Sequence, residues 1–171
     1  MKKLLVIALV AVFALSLSSC GNREKTNTEK ITTAKGWVLK SATVTPAVAD
    51  YGTDWYANYL LDYEYDDVIV FNTNGSFIIK PGNKVPGETE DGYTEEKASN
   101  WEFNADETKV KMQIPFFYDL SENPARTFNA QFEEPTISSL SETEMVLIYE
   151  TNMDLAKGNV HTFTLTYEAV K

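Results

Sequence analysis

Asp67-Val68-Ile69-Val70-Phe71-Asn72-Thr73-Asn74-Gly75-Ser76-Phe77-Ile78-Ile79-Lys80 is the stretch that decides the fold. Two β-rich runs, Val68–Phe71 and Phe77–Ile79, flank Asn72-Thr73-Asn74-Gly75. Asn and Gly tolerate the positive φ that tight turns demand, so the stretch predicts an antiparallel hairpin. Side chains alternate along a strand. Ile69 and Phe71 therefore share one face of the outgoing strand, and Phe77 and Ile79 share one face of the return. The opposite face still carries Val68, Val70 and Ile78. A hairpin apolar on both sides belongs in the middle of a sheet.

Working outward from this hairpin, the chain repeats its theme. Downstream, Trp101 and Phe103 alternate with Glu102 and Asn104, and Ala105-Asp106-Glu107 makes a turn. Val110, Met112 and Ile114 then alternate with Lys109, Lys111 and Gln113, the cleanest amphipathic strand in the chain. Phe128, Ala130 and Phe132 alternate with polar residues, and Ile137 falls out of phase with them, which predicts a bulge at Glu133–Pro135. Met145, Leu147 and Tyr149 follow. The last strand places His161, Phe163, Leu165, Tyr167 and Ala169 on one face and Thr162, Thr164, Thr166 and Glu168 on the other. Upstream, Gly36–Thr45 reads as a first strand stopped by Pro46. Gly52–Glu64 reads as the one helix, capped by Thr53 or Asp54, with Trp55, Tyr59 and Tyr63 at helical spacing and Leu60 beside them. Its aromatic content predicts a plug on one end of a sheet structure. Pro81–Ala98 is a long acidic loop, and Pro115–Ala125 is an irregular segment with the aromatic triplet Phe116-Phe117-Tyr118.

The pattern gives about eight strands with short turns and no alternating helices, which predicts an all-β, eight-stranded up-and-down antiparallel barrel with one short helix. Closure leaves no exposed sheet edge. A two-sheet β-sandwich built from the same strands is the alternative.

The amino terminus predicts an address. Lys2 and Lys3 precede Leu4–Leu15, an unbroken apolar run of 12 residues. That is short of the ~20 residues a spanning helix needs, and it fits the core of a secretory signal. The run ends in Leu17-Ser18-Ser19-Cys20, which resembles a lipobox, and Cys20 is the single cysteine of the chain. Residues 1–19 are therefore expected to be a lipoprotein signal peptide, residues 20–34 a flexible polar tether, and residues 35–171 the barrel domain. Cys20 is the expected lipidation site, and several acyl chains would give stable anchoring. Removal of Lys2 and Lys3 takes the net charge from −10 to −12. So acidic a chain disfavours nucleic acid as a partner and electrostatic binding to anionic headgroups.

The strand order and its short motifs carry a resemblance. Trp37 lies on the first strand, and Asp66-Asp67 leads into Val-Ile-Val-Phe. Then come Asn74-Gly75-Ser76-Phe77, Asn100-Trp101-Glu102-Phe103-Asn104, Lys109-Val110-Lys111-Met112 and the run Ile137–Tyr149, before a Thr-rich final strand. Over roughly residues 35–170 the chain is similar to the lipocalin-like domains of Bacteroidetes lipoproteins. That resemblance implies a small eight-stranded barrel on the cell envelope, in a family whose activities are mostly unassigned. By the same analogy Gly21, where an Asp would commonly retain a lipoprotein at the inner membrane, points to the outer membrane. The long-studied lipocalins carry Gly-x-Trp on the first strand and an Arg near the last. Here Gly36 and Trp37 are adjacent and the arginines are Arg23 and Arg126, so no binding residue is carried over from them.

Candidate chemistry is sparse. The single histidine, His161, cannot build a multi-histidine metal site. No lipase-type elbow is present and the one thiol is assigned to lipid, so no enzymatic activity and no cofactor is expected. Asp62, Glu64, Asp66 and Asp67, and Glu88, Glu90, Asp91, Glu95 and Glu96, are acidic clusters. Neither matches a calcium-binding EF-hand loop, and charge runs are usually solvated. The inward-facing series offers the better candidate, a pocket for a small apolar ligand lined by Phe71, Phe77, Trp101, Phe163 and Leu165, with His161 at the rim meeting a polar head. Those same rings could instead fill a solid barrel serving as a structural or interaction subunit of an outer-membrane assembly.

Overall fold

A computed structural model of the chain describes residues 23–48, 51–84, 97–113, 118–119, 127–128, 132–154 and 159–171. The segment expected to be a signal and Cys20 lie outside the described residues, as do Phe116, Phe117 and most of the acidic loop. Among the described residues there are two helices, α1 (Asn27–Thr33) and α2 (Trp55–Tyr59). The strands are β1 (Trp37–Val48), β2 (Gly52–Asp54), β3 (Val68–Phe71), β4 (Ser76–Lys80), β5 (Lys97–Asn100), β6 (Glu102–Phe103) and β7 (Val110–Gln113). They continue as β8 (Tyr118–Asp119), β9 (Thr127–Phe128), β10 (Phe132–Glu133), β11 (Thr136–Leu140), β12 (Glu144–Asp154) and β13 (Asn159–Ala169).

The hairpin forms as its sequence dictates. Ile69 pairs with Ile79 and Phe71 with Phe77, and all four side chains are buried. Gly75 takes φ +81°, the left-handed position that closes a short hairpin loop. Asn72 N–H donates to the Ser76 carbonyl, and Gly75 N–H to that of Asn72. Outer-face Val68, Val70 and Ile78 are half-buried.

From this hairpin the sheet curls strongly in both directions. One sheet runs β11-β12-β13-β1-β3-β4-β5, with β2 on β1. Its two edges are joined by the sheet β10-β7-β6. β6 follows β5 across Trp101, and β7 meets β11 through a bridge between Lys109 and Thr136. There Val110 N–H donates to the Pro135 carbonyl and Ile137 N–H to that of Thr108. Each wall strand thus pairs antiparallel with its neighbour in sequence, and β13 returns to β1 from Trp37↔Ala169 to Thr45↔Thr162. This is an eight-stranded up-and-down barrel and not a two-sheet sandwich. The long β1–β13 seam carries β-branched pairs on its outer face, Thr43↔Thr164 and Thr45↔Thr162, which suit a pleated, half-buried surface. On its inner face Val44 meets Phe163 and Ala42 meets Leu165.

Four expectations are corrected. β1 does not stop at Pro46 but runs through it to Val48, Pro46 being exposed. The strand register of β10 and β11 against β7 is unbroken from Phe132↔Gln113 to Thr136↔Lys109. The irregularity falls instead between Ile137 and Ser139, in the pairing with β12. The predicted 52–64 helix contracts to the five residues of α2, capped by Asp54 through Ala57 N–H at 3.0 Å. Finally, the 20–34 segment is not all tether. α1 occupies 27–33, closed by a reciprocal Thr26–Glu29 capping box, and buries Ile31 completely. Among the described residues two short helices thus flank the barrel, one toward each end.

Candidate functional site

The two ends of the barrel are built differently. Strand directions place the turns 72–75, 104–108 and 141–143 at one end, and α1 packs there. Ile31 enters the core, and its carbonyl accepts the Trp37 indole N–H at 2.9 Å. Asn27 N–H and the Thr28 hydroxyl donate to the Glu107 carboxylate, each at 3.2 Å. Lys25 pairs with Glu142 at 2.9 Å. Gly36 permits the close approach of β1 to β3 here, since a Cβ would lie 2.2 Å from Val68 Cγ1. This end is sealed by the chain itself.

At the other end α2 lies across the opening. Trp55 stacks on Tyr59 one helical turn later, with ring centroids 4.0 Å apart. Tyr51 meets Tyr59 edge-on at 5.1 Å. Trp55 in turn meets Phe163 of β13 edge-on at 5.2 Å. Tyr149 of β12 lies beside Phe163 at 6.4 Å. His161 follows Phe163 outward, is 4 % exposed, and places Nδ1 2.9 Å from the Pro46 carbonyl oxygen. A carbonyl only accepts, so Nδ1 carries the proton in that bond. The donor ties β13 to β1.

Two of the acids beside this end bind backbone amides, whereas Asp62 is exposed. Asp67 is buried and accepts Gly82 N–H at 3.0 Å. Asp66 accepts Asn83 N–H at 2.8 Å. They hold the start of the long loop that follows β4. Burial, and then the nearby carboxylates of Glu64 and Asp66, push the Asp67 carboxyl up to about 7 against the opposing pull of the Gly82 amide. Among the described residues no group of three or more His, Cys, Asp or Glu is placed to hold a metal ion.

Of the six residues read as ligand-lining, the barrel brings together two sets and keeps them apart. Phe71, Phe77 and Trp101 form a cluster at the sealed end, with Phe71 5.2 Å from Phe77 and 5.3 Å from Trp101 between centroids. Trp101 also donates its indole N–H to the Asn72 carbonyl at 3.0 Å. Phe163 lies against Trp55 of α2, His161 precedes it on β13 beside Pro46, and Leu165 follows it along the strand. Tyr167, inward-facing on the sequence pattern but left out of the ligand set, is fully buried, and its hydroxyl has no hydrogen-bond partner among the described residues. Burial raises its phenol well above the usual value.

Depressions on the wall among the described residues include the following two. One of about 270 Å³ is lined by Asn100, Trp101, Glu102 and Lys111, and one of about 340 Å³ includes Lys109, Glu134 and Glu150. The first is the more apolar of the two and includes Trp101 of the predicted ligand set, while the second is mostly polar.

No family model matches the chain, and no curated protein matches it. Solved structures similar to it include bovine odorant-binding protein in complex with undecanal, at 15 % identity, TM-score 0.43, covering 88 % of this chain and 77 % of that one. The same protein with a selenium-containing odorant gives 14 % identity, TM-score 0.41 and coverages of 90 % and 78 %. Odorant-binding protein from bovine nasal mucosa gives 15 %, 0.43, 88 % and 77 %.

Proposed function

We propose that the chain is a binding module for a small apolar ligand held inside the barrel and admitted at the α2 end, and that it is carried on the outer membrane by acyl chains on Cys20. The observation that carries the binding reading is the asymmetry of the two ends. One end is sealed through Ile31, Trp37 and three turns. The other is covered by five helical residues whose contact with the wall is aromatic, Trp55 on Phe163. Its helix is too short to be stable alone, so what holds it in place is the burial of Trp55 and Tyr59, 1 % and 2 % exposed, and an entering ligand would displace those rings.

The test is a titration of the domain with N-phenyl-1-naphthylamine, whose fluorescence rises in an apolar environment, together with native mass spectrometry of protein purified from its own host. Saturable binding at one site, or a retained small molecule, is expected. Neither appearing would overturn the reading. The envelope address is supported by the lipobox and the lone cysteine: Cys20→Ala should abolish acyl labelling, and unchanged labelling would remove the anchor.

One feature favours the second reading, a filled barrel acting as a structural subunit. Aromatic contacts run without interruption from Tyr51 through Trp55 to Phe163. That reading predicts a flat titration and a protein partner recovered by crosslinking.

A further inference from the structure

We infer that the barrel's ligand, on the binding reading above, is an uncharged molecule bearing a hydrogen-bond acceptor such as a ketone or ester carbonyl, and that Tyr167 is the side chain that receives it. Tyr167 lies on β13 between Leu39 of β1 and Met145 of β12. It is 0 % exposed, as are Met145 and Trp37, and Leu39 is 3 % exposed. In this apolar setting its hydroxyl meets no acceptor and no donor among the described residues. A phenylalanine would fill the same space without stranding a polar atom, and a stranded buried hydroxyl is costly. A phenol that binds nothing in the protein is the group best placed to donate to something brought in.

The class of ligand follows from what surrounds the hydroxyl. Asp67, Glu64 and His161 are the buried polar or charged residues among those described, and no lysine or arginine is among them. An ionised carboxylate carried down to Tyr167 would be stripped of water with no cation to meet it. A neutral carbonyl asks only for the one donor the phenol supplies. His161 is a poor competitor for the polar end, since its Nδ1 proton is already given to Pro46. It also lies six residues along β13, roughly 20 Å away at the usual rise of a strand. The polar end of the ligand therefore sits deep and its apolar body extends toward α2.

The experiment compares two probes of matched shape, 2-decanone and 2-methyl-1-decene, by displacement of N-phenyl-1-naphthylamine from wild type and from Tyr167→Phe. The ratio of the two affinities cancels chain length and barrel packing, and comparing proteins cancels the hydration of the ketone. The preference for the ketone should fall about tenfold in Tyr167→Phe, equivalent to ~1.4 kcal/mol, while the alkene binds both proteins alike. Thermal stability without probe should be equal or higher in the variant, because a stranded hydroxyl has been removed. An unchanged ratio in a barrel that binds both probes would overturn the assignment of Tyr167 and leave the binding reading standing. A less stable variant would reveal a partner for the hydroxyl inside the protein and overturn it too. Failure of every probe to bind wild type would take down both.

Discussion

Asp67 is the residue whose environment is most at odds with its chemistry. Its carboxyl titrates near pH 7, held up by burial against the usual range near 4. A folded-state value raised above the unfolded one means that the folded protein holds its proton more tightly. The stabilisation this gives is fully present below the unfolded value and is lost as pH rises through about 7. Asp67→Asn keeps an oxygen to accept Gly82 N–H and cannot ionise. Urea midpoints measured from pH 4 to pH 8 should therefore fall less with pH in the variant than in wild type, leaving the variant the more stable protein at pH 8. Parallel curves would show that the carboxyl is hydrated and ordinary. At this scale the sequence was readable where the information is local. Alternation by twos placed Ile69, Phe71, Phe77, Ile79, Val110, Met112, Met145 and Leu147 inward, and all are buried. It could not say that Asp67 is buried against an amide from residue 82, because that contact depends on how a loop returns. Nor could it separate Phe71, Phe77 and Trp101 from His161 and Phe163. Facing inward is set by the pleat of one strand, whereas depth in the barrel is set by the stagger between strands distant in sequence.

α1 is the element that periodicity missed, and the reason is physical. Asn27–Thr33 holds one apolar residue, Ile31, so it shows no apolar stripe. Its signal was the Thr26–Glu29 spacing of a capping box, in which Thr26 Oγ1 accepts Glu29 N–H at 3.1 Å and Glu29 accepts Thr26 N–H at 2.8 Å. The Glu29 carboxyl is held below its usual value first by that backbone bond. A helix of 7 residues has little stability of its own, so its place must come from docking. Ile31 is completely buried against the core. Ile31→Ala should accordingly destabilise the whole domain by about 2–4 kcal/mol, seen as a shift in the denaturant midpoint with the slope unchanged. A change below ~0.5 kcal/mol, the size of an ordinary surface substitution, would return the segment to the role of tether. α2 shows the converse: its aromatic spacing was legible, but its length was not, since Leu60 leaves the helical region with ψ near 143°.

For the whole molecule, the placement of α1 fixes which way an anchored barrel would face. Cys20 precedes the Thr26 cap by six residues, which reach at most about 20 Å when fully extended. α1 is held at the sealed end by Glu107 and, through Lys25, by Glu142. With acyl chains on Cys20, as proposed, the turns at that end stand within reach of the bilayer. The α2 end lies a strand's length away, since the 11 residues of β13 connect the two, a distance of roughly 35 Å. The negative charge of the chain gives the wall no reason to lie down on anionic headgroups. A ligand would then enter from the aqueous side, handed over by solution or by a partner and not drawn directly from the supporting membrane. Thr73 is exposed in the hairpin turn at the sealed end, and Val160 is 56 % exposed beside the mouth. In acylated protein the native thiol is consumed, so Thr73→Cys and Val160→Cys each offer one site for a fluorophore. In liposomes carrying a headgroup quencher, the label at residue 73 should be strongly quenched and the label at 160 should be nearly as bright as in detergent. Equal quenching would mean that the barrel lies on its side, and stronger quenching at 160 would mean that its mouth faces the lipid.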